Sequence, residues 1–200
     1  MKKRLFLTLL VALTCMANGW AQKLDPRYAP GAVPEENGRV VFTHRIEAPL
    51  PAGELYNVAL EWANIQYKPD EEMPNHKIIA ENPEACEVTA GGEEFIVFSS
   101  KAWSLDRTRV YYKINLAAQE GVLTARIFNI RYWYEEDRNG GFKYTAEEWI
   151  TDEKGLNKKK NKLARMSGKF RAKTIDHVQQ LFEDLELYIS RKVMRKTPQN

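Results

Sequence analysis

The side chains in this chain of 200 residues that could carry acid–base, nucleophilic or metal chemistry are few and scattered. The histidines are His44, His76 and His177, and the cysteines are Cys15 and Cys86. None pairs with another at metal-ligand spacing, and neither HExxH nor CxxC occurs, so no metal site and no cofactor is expected. Adjacent acids are common: Glu71-Glu72, Glu93-Glu94, Glu135-Glu136-Asp137 and Glu147-Glu148. Glycoside hydrolysis needs two carboxyls held a fixed distance apart across a cleft, whereas neighbouring acids in polar stretches are ordinarily solvated surface. Ser99-Ser100 and Ser104 lack the context of a nucleophile elbow, and no glycine-rich phosphate loop is present. An enzymatic reading therefore rests on two places. One is Cys86, which within Ala85 to Ala90 reads as a small buried strand residue and would need His44 or His76 beside it. The other is the Glu147/Glu148 pair. Either would make the protein a hydrolase-type enzyme.

A different kind of chemistry is suggested between Arg107 and Tyr134. Thr108 to Leu116 strictly alternates, with Val110, Tyr112, Ile114 and Leu116 on one side and Arg109, Tyr111, Lys113 and Asn115 on the other. A period of two in β-branched and aromatic residues indicates a half-buried antiparallel strand. Val122 to Tyr134 repeats the composition after a turn at Gly121, which can take positive φ. If Phe128, Ile130 and Tyr132 face the core, Arg131 and Trp133 join Tyr111 and Lys113 outside. Arg126 then falls on the core side, an inconsistency in the register. Exposed aromatics interleaved with cations form a recognition surface for a protein, peptide or glycan; the plainer alternative is cross-strand pairing on a solvated face.

These positions need a scaffold, and the remaining pattern supplies one. Gln22 to Asn37 holds Pro26, Pro30 and Pro34 and reads as an extended leader. Gly38 to Ile46 is a first strand with Val40, Phe42 and Ile46 on one face. Leu55, Val58, Ala59, Trp62 and Ile65 recur at helical spacing from Glu54 to Gln66. Lys77 to Ala80 is a short edge strand. Cys86, Val88 and Ala90 alternate into Gly91-Gly92, which reads as the two-residue turn of a second hairpin returning from Glu94 to Ser100, and Trp103 to Arg107 connects onward. Thr145 with Glu148 three residues later is a capping box. Asn157 to Lys162 is an exposed lysine run, too short and too poor in aromatics to suggest nucleic acid. A long helix spans about Ala172 to Val193, with Leu187 and Met194 off its apolar arc. The expected architecture is α+β: a single curved antiparallel sheet of about five strands, with an N-terminal and a long C-terminal helix packed on one face. Residues 38–196 form one domain in this reading.

Lys2-Lys3-Arg4 followed by apolar Leu5 to Ala17 and a cleavage point after Ala21 has the form of a secretory signal peptide, too short to span a bilayer. Lipidation at Cys15 is the lesser alternative, because Thr14 precedes it. The protein is thus expected in the periplasm or at the outer membrane, with no transmembrane segment. Three of the 30 Lys and Arg residues lie in residues 1–21, which leaves 27 against 27 acidic residues. The charge is uneven: residues 22–153 carry 14 basic and 23 acidic residues, and residues 154–200 carry 13 and 4. Mutual attraction of the two parts within one fold accounts for this most simply. With Cys86 alone after cleavage, no internal disulfide can form.

Gly38-Arg-Val-Val-Phe42, Leu55-Tyr-Asn-Val-Ala-Leu-Glu-Trp62, Ile130-Arg-Tyr-Trp-Tyr-Glu-Glu136, Tyr144-Thr-Ala-Glu-Glu-Trp-Ile-Thr-Asp152 and Gly168-Lys-Phe-Arg-Ala-Lys-Thr-Ile-Asp176 occur in this order. Together they resemble the exported "domain of unknown function 4468" family of Bacteroidetes-type bacteria, over about Gly38 to Phe182. The resemblance implies a TBP-like fold, a curved antiparallel sheet backed by helices. It implies no activity and offers no catalytic residues, and the fold name carries no DNA binding with it. The expected function is a non-catalytic binding domain acting through Tyr111, Lys113, Arg131 and Trp133 on an envelope protein or glycan. The alternatives are the hydrolase and a self-associating scaffold.

Overall fold

The computed structural model describes residues 24–101 and 104–196. The expected signal peptide at 1–21, with Cys15 and Ala21, and the connector residue Trp103 lie outside the described residues. A 3-10 turn at Pro26–Tyr28 leads into strands β1 (Glu35–Glu36) and β2 (Arg39–Glu47), then helix α1 (Ala52–Gln66). Strands β3 (Lys77–Asn82), β4 (Glu87–Lys101), β5 (Ser104–Gln119), β6 (Val122–Tyr134) and β7 (Phe142–Thr145) follow, and helices α2 (Ala146–Trp149) and α3 (Gly168–Lys196) close the chain. The fold is α+β.

The strands form one antiparallel sheet of seven in the order β1-β2-β6-β5-β4-β3, with β7 paired to β6 beyond the end of β2. Two strands more than expected are present because the short β1 and β7 pair only a few residues each. β6 changes partner along its length: Val122 to Phe128 pair with β2, and Arg131 to Tyr134 pair with β7. α2 sits by this exchange, and its Glu147 carboxylate accepts the Val40 backbone N–H at 2.9 Å. The expected capping box is present, with Thr145 Oγ1 accepting from Glu148 N and the Glu148 carboxylate accepting from Thr145 N.

α1 packs on β5, β4 and β6, and α3 packs on β4 and β2 and against α1. Both helices cover the same face, because Val110, Tyr112, Ile114 and Leu116 of β5 are buried in one cluster with Leu55, Val58, Ala59 and Trp62 of α1 and Val178, Leu181, Leu185 and Ile189 of α3. Ile65, placed on the buried arc by its spacing, is exposed, at the margin of the arc that Leu55, Val58, Ala59 and Trp62 bury. Leu187 and Met194 are exposed, in keeping with their position off the arc. The proline-rich segment does not stand away from the body: Val33 is buried in the core, and β1 pairs with β2. Three ion pairs, Lys169–Asp106, Arg171–Asp152 and Lys192–Glu61, join the basic C-terminal part to the acidic remainder.

Three expectations are corrected. Gly91-Gly92 is not a turn. It lies inside β4, which runs unbroken from Glu87 to Lys101 and pairs along its length with β5, so the stretch expected to be a connector at residues 104–107 is strand as well. Glycine in a strand marks a close approach, and here a Cβ on Gly91 would meet the Asn75 carbonyl at 2.8 Å while one on Gly92 would strike the Tyr112 ring. Cys86 is not a strand residue. It occupies a turn before β4 with φ 53°, held by its N–H to the Pro83 carbonyl and by Ala85 N–H to the Asn82 side chain. In β6 a bulge at Asn129 and Ile130, the two residues opposite Tyr112, resets the alternation, and Asn129 has φ 55°. Leu123, Ala125 and Ile127 are buried before it, and Ile130 and Tyr132 after it. Arg126 and Phe128 therefore face outward, which removes the inconsistency that Arg126 posed.

Candidate functional site

The sheet face that α1 and α3 leave open is built in rows, because directly paired residues on neighbouring strands point the same way. Across β3, β4 and β5 one row reads Lys77, Gly91, Lys113. The next, across β4, β5, β6 and β7, reads Glu93, Tyr111, Arg131, Thr145. The third reads Phe95, Arg109, Trp133, Lys143. All four residues expected to form a recognition surface, Tyr111, Lys113, Arg131 and Trp133, line one cavity of about 470 Å³. Lys77, Ile79, Lys143, Tyr144, Glu148 and the Gly91-Gly92 backbone are among its other lining residues. Gly91 leaves a notch between two lysines in its row.

Tyr111 and Trp133 each have a cation beside the ring. The Arg131 guanidinium lies 5.9 Å from the centre of the Tyr111 ring, and Lys143 Nζ lies 4.8 Å from that of Trp133. Trp133 donates its indole N–H to the Gly140 carbonyl at 2.8 Å, so its ring is oriented by the β6–β7 loop. Burial, and after it the Glu93 carboxylate, push the Tyr111 phenol above its ordinary range, which keeps it a neutral donor at physiological pH. The carboxylates nearest the cavity are committed elsewhere. Glu93 accepts from Asn75 N and Nδ2 at 2.9 Å and from Arg109 at 3.1 Å. Glu148 is spent on the Thr145 backbone N–H, which holds its carboxyl below the usual range. Among the described residues, Lys77, Lys113, Arg131 and Lys143 form no ion pair.

A second hollow of about 830 Å³ continues along the same face, lined by Asn115, Ala117, Arg126, Phe128, Thr89, Val41 and Glu147 among others. It is nearly balanced in charge, since Arg126 pairs with Glu36 at 2.7 Å. Tyr111, Lys113, Asn115 and Ala117 alternate along the floor of both hollows, so the groove runs for roughly 20 Å at the usual strand rise.

The residues named for the enzymatic alternative are not brought together. Cys86 lines none of the cavities described, His44 stacks on Phe182 and meets Glu186 at 2.9 Å, and His76 is fixed between the Gln66 carbonyl and the Glu93 N–H. The Glu147 and Glu148 side chains diverge, Glu147 to Val40 and the second hollow, Glu148 to Thr145 and the first. Lys77 and Lys143 were missed from sequence because they come from β3, which pairs with β4, and β7, which pairs with β6, placements known only once the strand order is.

A family model described as "Domain of unknown function (DUF4468) with TBP-like fold" matches residues 42–133. Among solved structures, a DUF4468 family protein from Bacteroides ovatus ATCC 8483 is similar at 35% identity and a TM-score of 0.76, covering 86% of this chain and 95% of that one. A TBP-like protein from Parabacteroides distasonis ATCC 8503 shares the fold at 20% identity and a TM-score of 0.63, covering 79% of this chain and 97% of that one. No curated protein matches the chain.

Proposed function

We propose that this chain, which belongs to the family of domains of unknown function 4468 with a TBP-like fold, is a non-catalytic binding domain that recognises a ligand or partner on the open face of its sheet. The observation that carries this reading is the convergence of Tyr111, Lys113, Arg131 and Trp133 on one cavity of about 470 Å³. That volume lies in the range of small-molecule and cofactor sites. The residues stand on the rigid centre of the sheet, which pre-orders them and lowers the entropic cost of binding. Half-buried aromatics with cations on their faces are the group enriched at recognition surfaces. The test is binding to glycan and peptide arrays by the wild-type chain and by Tyr111→Ala/Trp133→Ala. The double variant is expected to lose the wild-type ligand while its melting temperature stays close to wild type. Retained binding, or loss only through unfolding, sinks the reading.

We also infer that the domain works outside the cytoplasm, on the support of the basic and then apolar segment at Lys2 to Ala17. No described helix is long and apolar enough to cross a membrane. Cell fractionation with mass spectrometry of the amino terminus is the check. A mature chain starting at Gln22 is expected, and a full-length cytoplasmic product overturns it.

A further inference from the structure

We propose that the ligand of this cavity is an acidic saccharide, its carboxylate or sulfate groups held by Lys77, Lys113, Arg131 and Lys143 and its ring lodged beside Tyr111 and Trp133. The proposal rests on the open face being the binding surface and adds the ligand's chemical class.

Charge is the first argument. Four cations surround one cavity, and among the described residues none of them has a carboxylate partner. Like charges gathered in a hollow raise its potential and concentrate anions there, and charge-assisted hydrogen bonds to carboxylate or sulfate are the strong ones. On the same face Arg109 lies between Glu93 and Glu136 and Arg126 pairs with Glu36, whereas the cavity gathers four cations against one lining carboxylate, Glu148.

The floor separates a saccharide from an acidic peptide. An extended peptide gains affinity by pairing its main chain with a free strand edge. Here the floor is β4, β5 and β6, each of which already has a paired strand on both sides at the cavity. The floor itself offers no free strand edge, the one-sided strands β3 and β7 lying at its margins, so over the floor recognition falls to side chains. A ligand that brings its own anionic groups and compact rings meets that requirement. Tyr111 and Trp133 offer flat amphipathic surfaces for such rings.

The experiment is calorimetric titration of the purified chain with oligogalacturonate, a chondroitin sulfate oligosaccharide, neutral cello-oligosaccharide, oligoglutamate and single-stranded oligothymidylate. One or both acidic sugars are expected to bind more tightly than the other three probes, with affinity falling as salt screens the charges. A preference for one names the anion as carboxylate or sulfate. Lys77→Gln/Lys113→Gln is expected to weaken binding by roughly tenfold or more per lysine. Lys77→Arg/Lys113→Arg keeps the charge and most of the affinity, which guards against a folding artefact. Failure of both acidic sugars to bind, or tighter binding of oligoglutamate or oligothymidylate, overturns the proposal. If the neutral sugar binds at least as tightly as the acidic ones, and only Tyr111→Ala/Trp133→Ala abolishes it, the acidic class fails and the open face stands. If acidic sugar binding survives both sets of substitutions, the open face fails as well.

Discussion

Gly92 lies directly opposite Tyr112 in the β4–β5 ladder, and a Cβ on Gly92 would come within 2.0 Å of the Tyr112 Cζ atom. The Tyr112 ring cannot swing aside cheaply. It is buried, its hydroxyl bonds to the Glu94 carboxylate, and that hydroxyl lies 3.4 Å from the Tyr67 hydroxyl. Gly92→Ala is expected to cost about 3 kcal/mol, at the upper end for overpacking. Gly53 is the control: it sits early in α1 and a Cβ there meets nothing within 4 Å. Gly53→Ala should be neutral or stabilising by up to about 1 kcal/mol. Urea unfolding of both variants checks the contrast, and equal effects would refute the assignment.

The same glycine shows what the sequence could and could not make legible. A Gly-Gly pair between alternating segments fits a primed turn and a close approach equally well, and only the partner strand distinguishes them. β5 was readable because its two sides meet different surroundings, core on one and groove on the other. The bulge of β6 was not, since one inserted residue breaks a period of two without changing composition; Arg126 on the wrong side was its only trace. The four central residues of the cavity were legible from that alternation. Lys77 and Lys143 were not, because their place depends on long-range pairing.

Arg171 is fully buried and binds Asp152 at 2.8 Å, the Ile150 carbonyl at 2.8 Å, the Tyr28 carbonyl at 3.0 Å and the Ala29 carbonyl at 2.7 Å. Asp152 in turn accepts the Gly31 N–H at 2.8 Å. The guanidinium thereby clasps the N-terminal segment and the residues after α2 to the start of α3. Arg171→Met leaves buried carbonyls and a carboxylate without their donor, at an expected cost of about 3–5 kcal/mol. Hydrogen exchange should show faster exchange in residues 25–33 first. Unchanged protection there would mean that the clasp is dispensable.

His177 gives the fold a dependence on pH. Burial lowers its pKa from 6.5; Glu94, 3.7 Å from Nε2, opposes this, and His76 adds to it. Tyr112 packs edge-on at 5.8 Å and offers no charge. The folded state therefore takes up a proton less readily than the unfolded chain, so the His177 contribution is complete above 6.5 and declines as pH falls through that value toward the folded pKa. Wild type should lose melting temperature between about pH 7.5 and pH 5.5, and His177→Phe should lose less, by roughly 2–4 °C for each kcal/mol recovered. Parallel slopes for the two proteins would exclude the assignment.

Asn129 couples the backbone of β6 to the cavity. Its φ of 55° is tolerable for Asn, costs Gly nothing, and is an outlier for a β-branched residue. Asn129→Gly should stay within about 1 kcal/mol of wild type, because relief at the positive φ is offset by the greater freedom of the unfolded chain. Asn129→Val should destabilise by about 1–3 kcal/mol through strain at that φ. If the valine instead flattens the bulge, the alternation shifts by one residue and Arg131 and Trp133 turn toward the core. Ligand affinity should then fall more than stability does, while Asn129→Gly binds as wild type. The Trp133 indole N–H, bonded to Gly140 in the native fold, is the reporter, through its NMR shift and exchange rate. An unmoved indole resonance in Asn129→Val, with affinity intact, would show that the bulge does not aim the site.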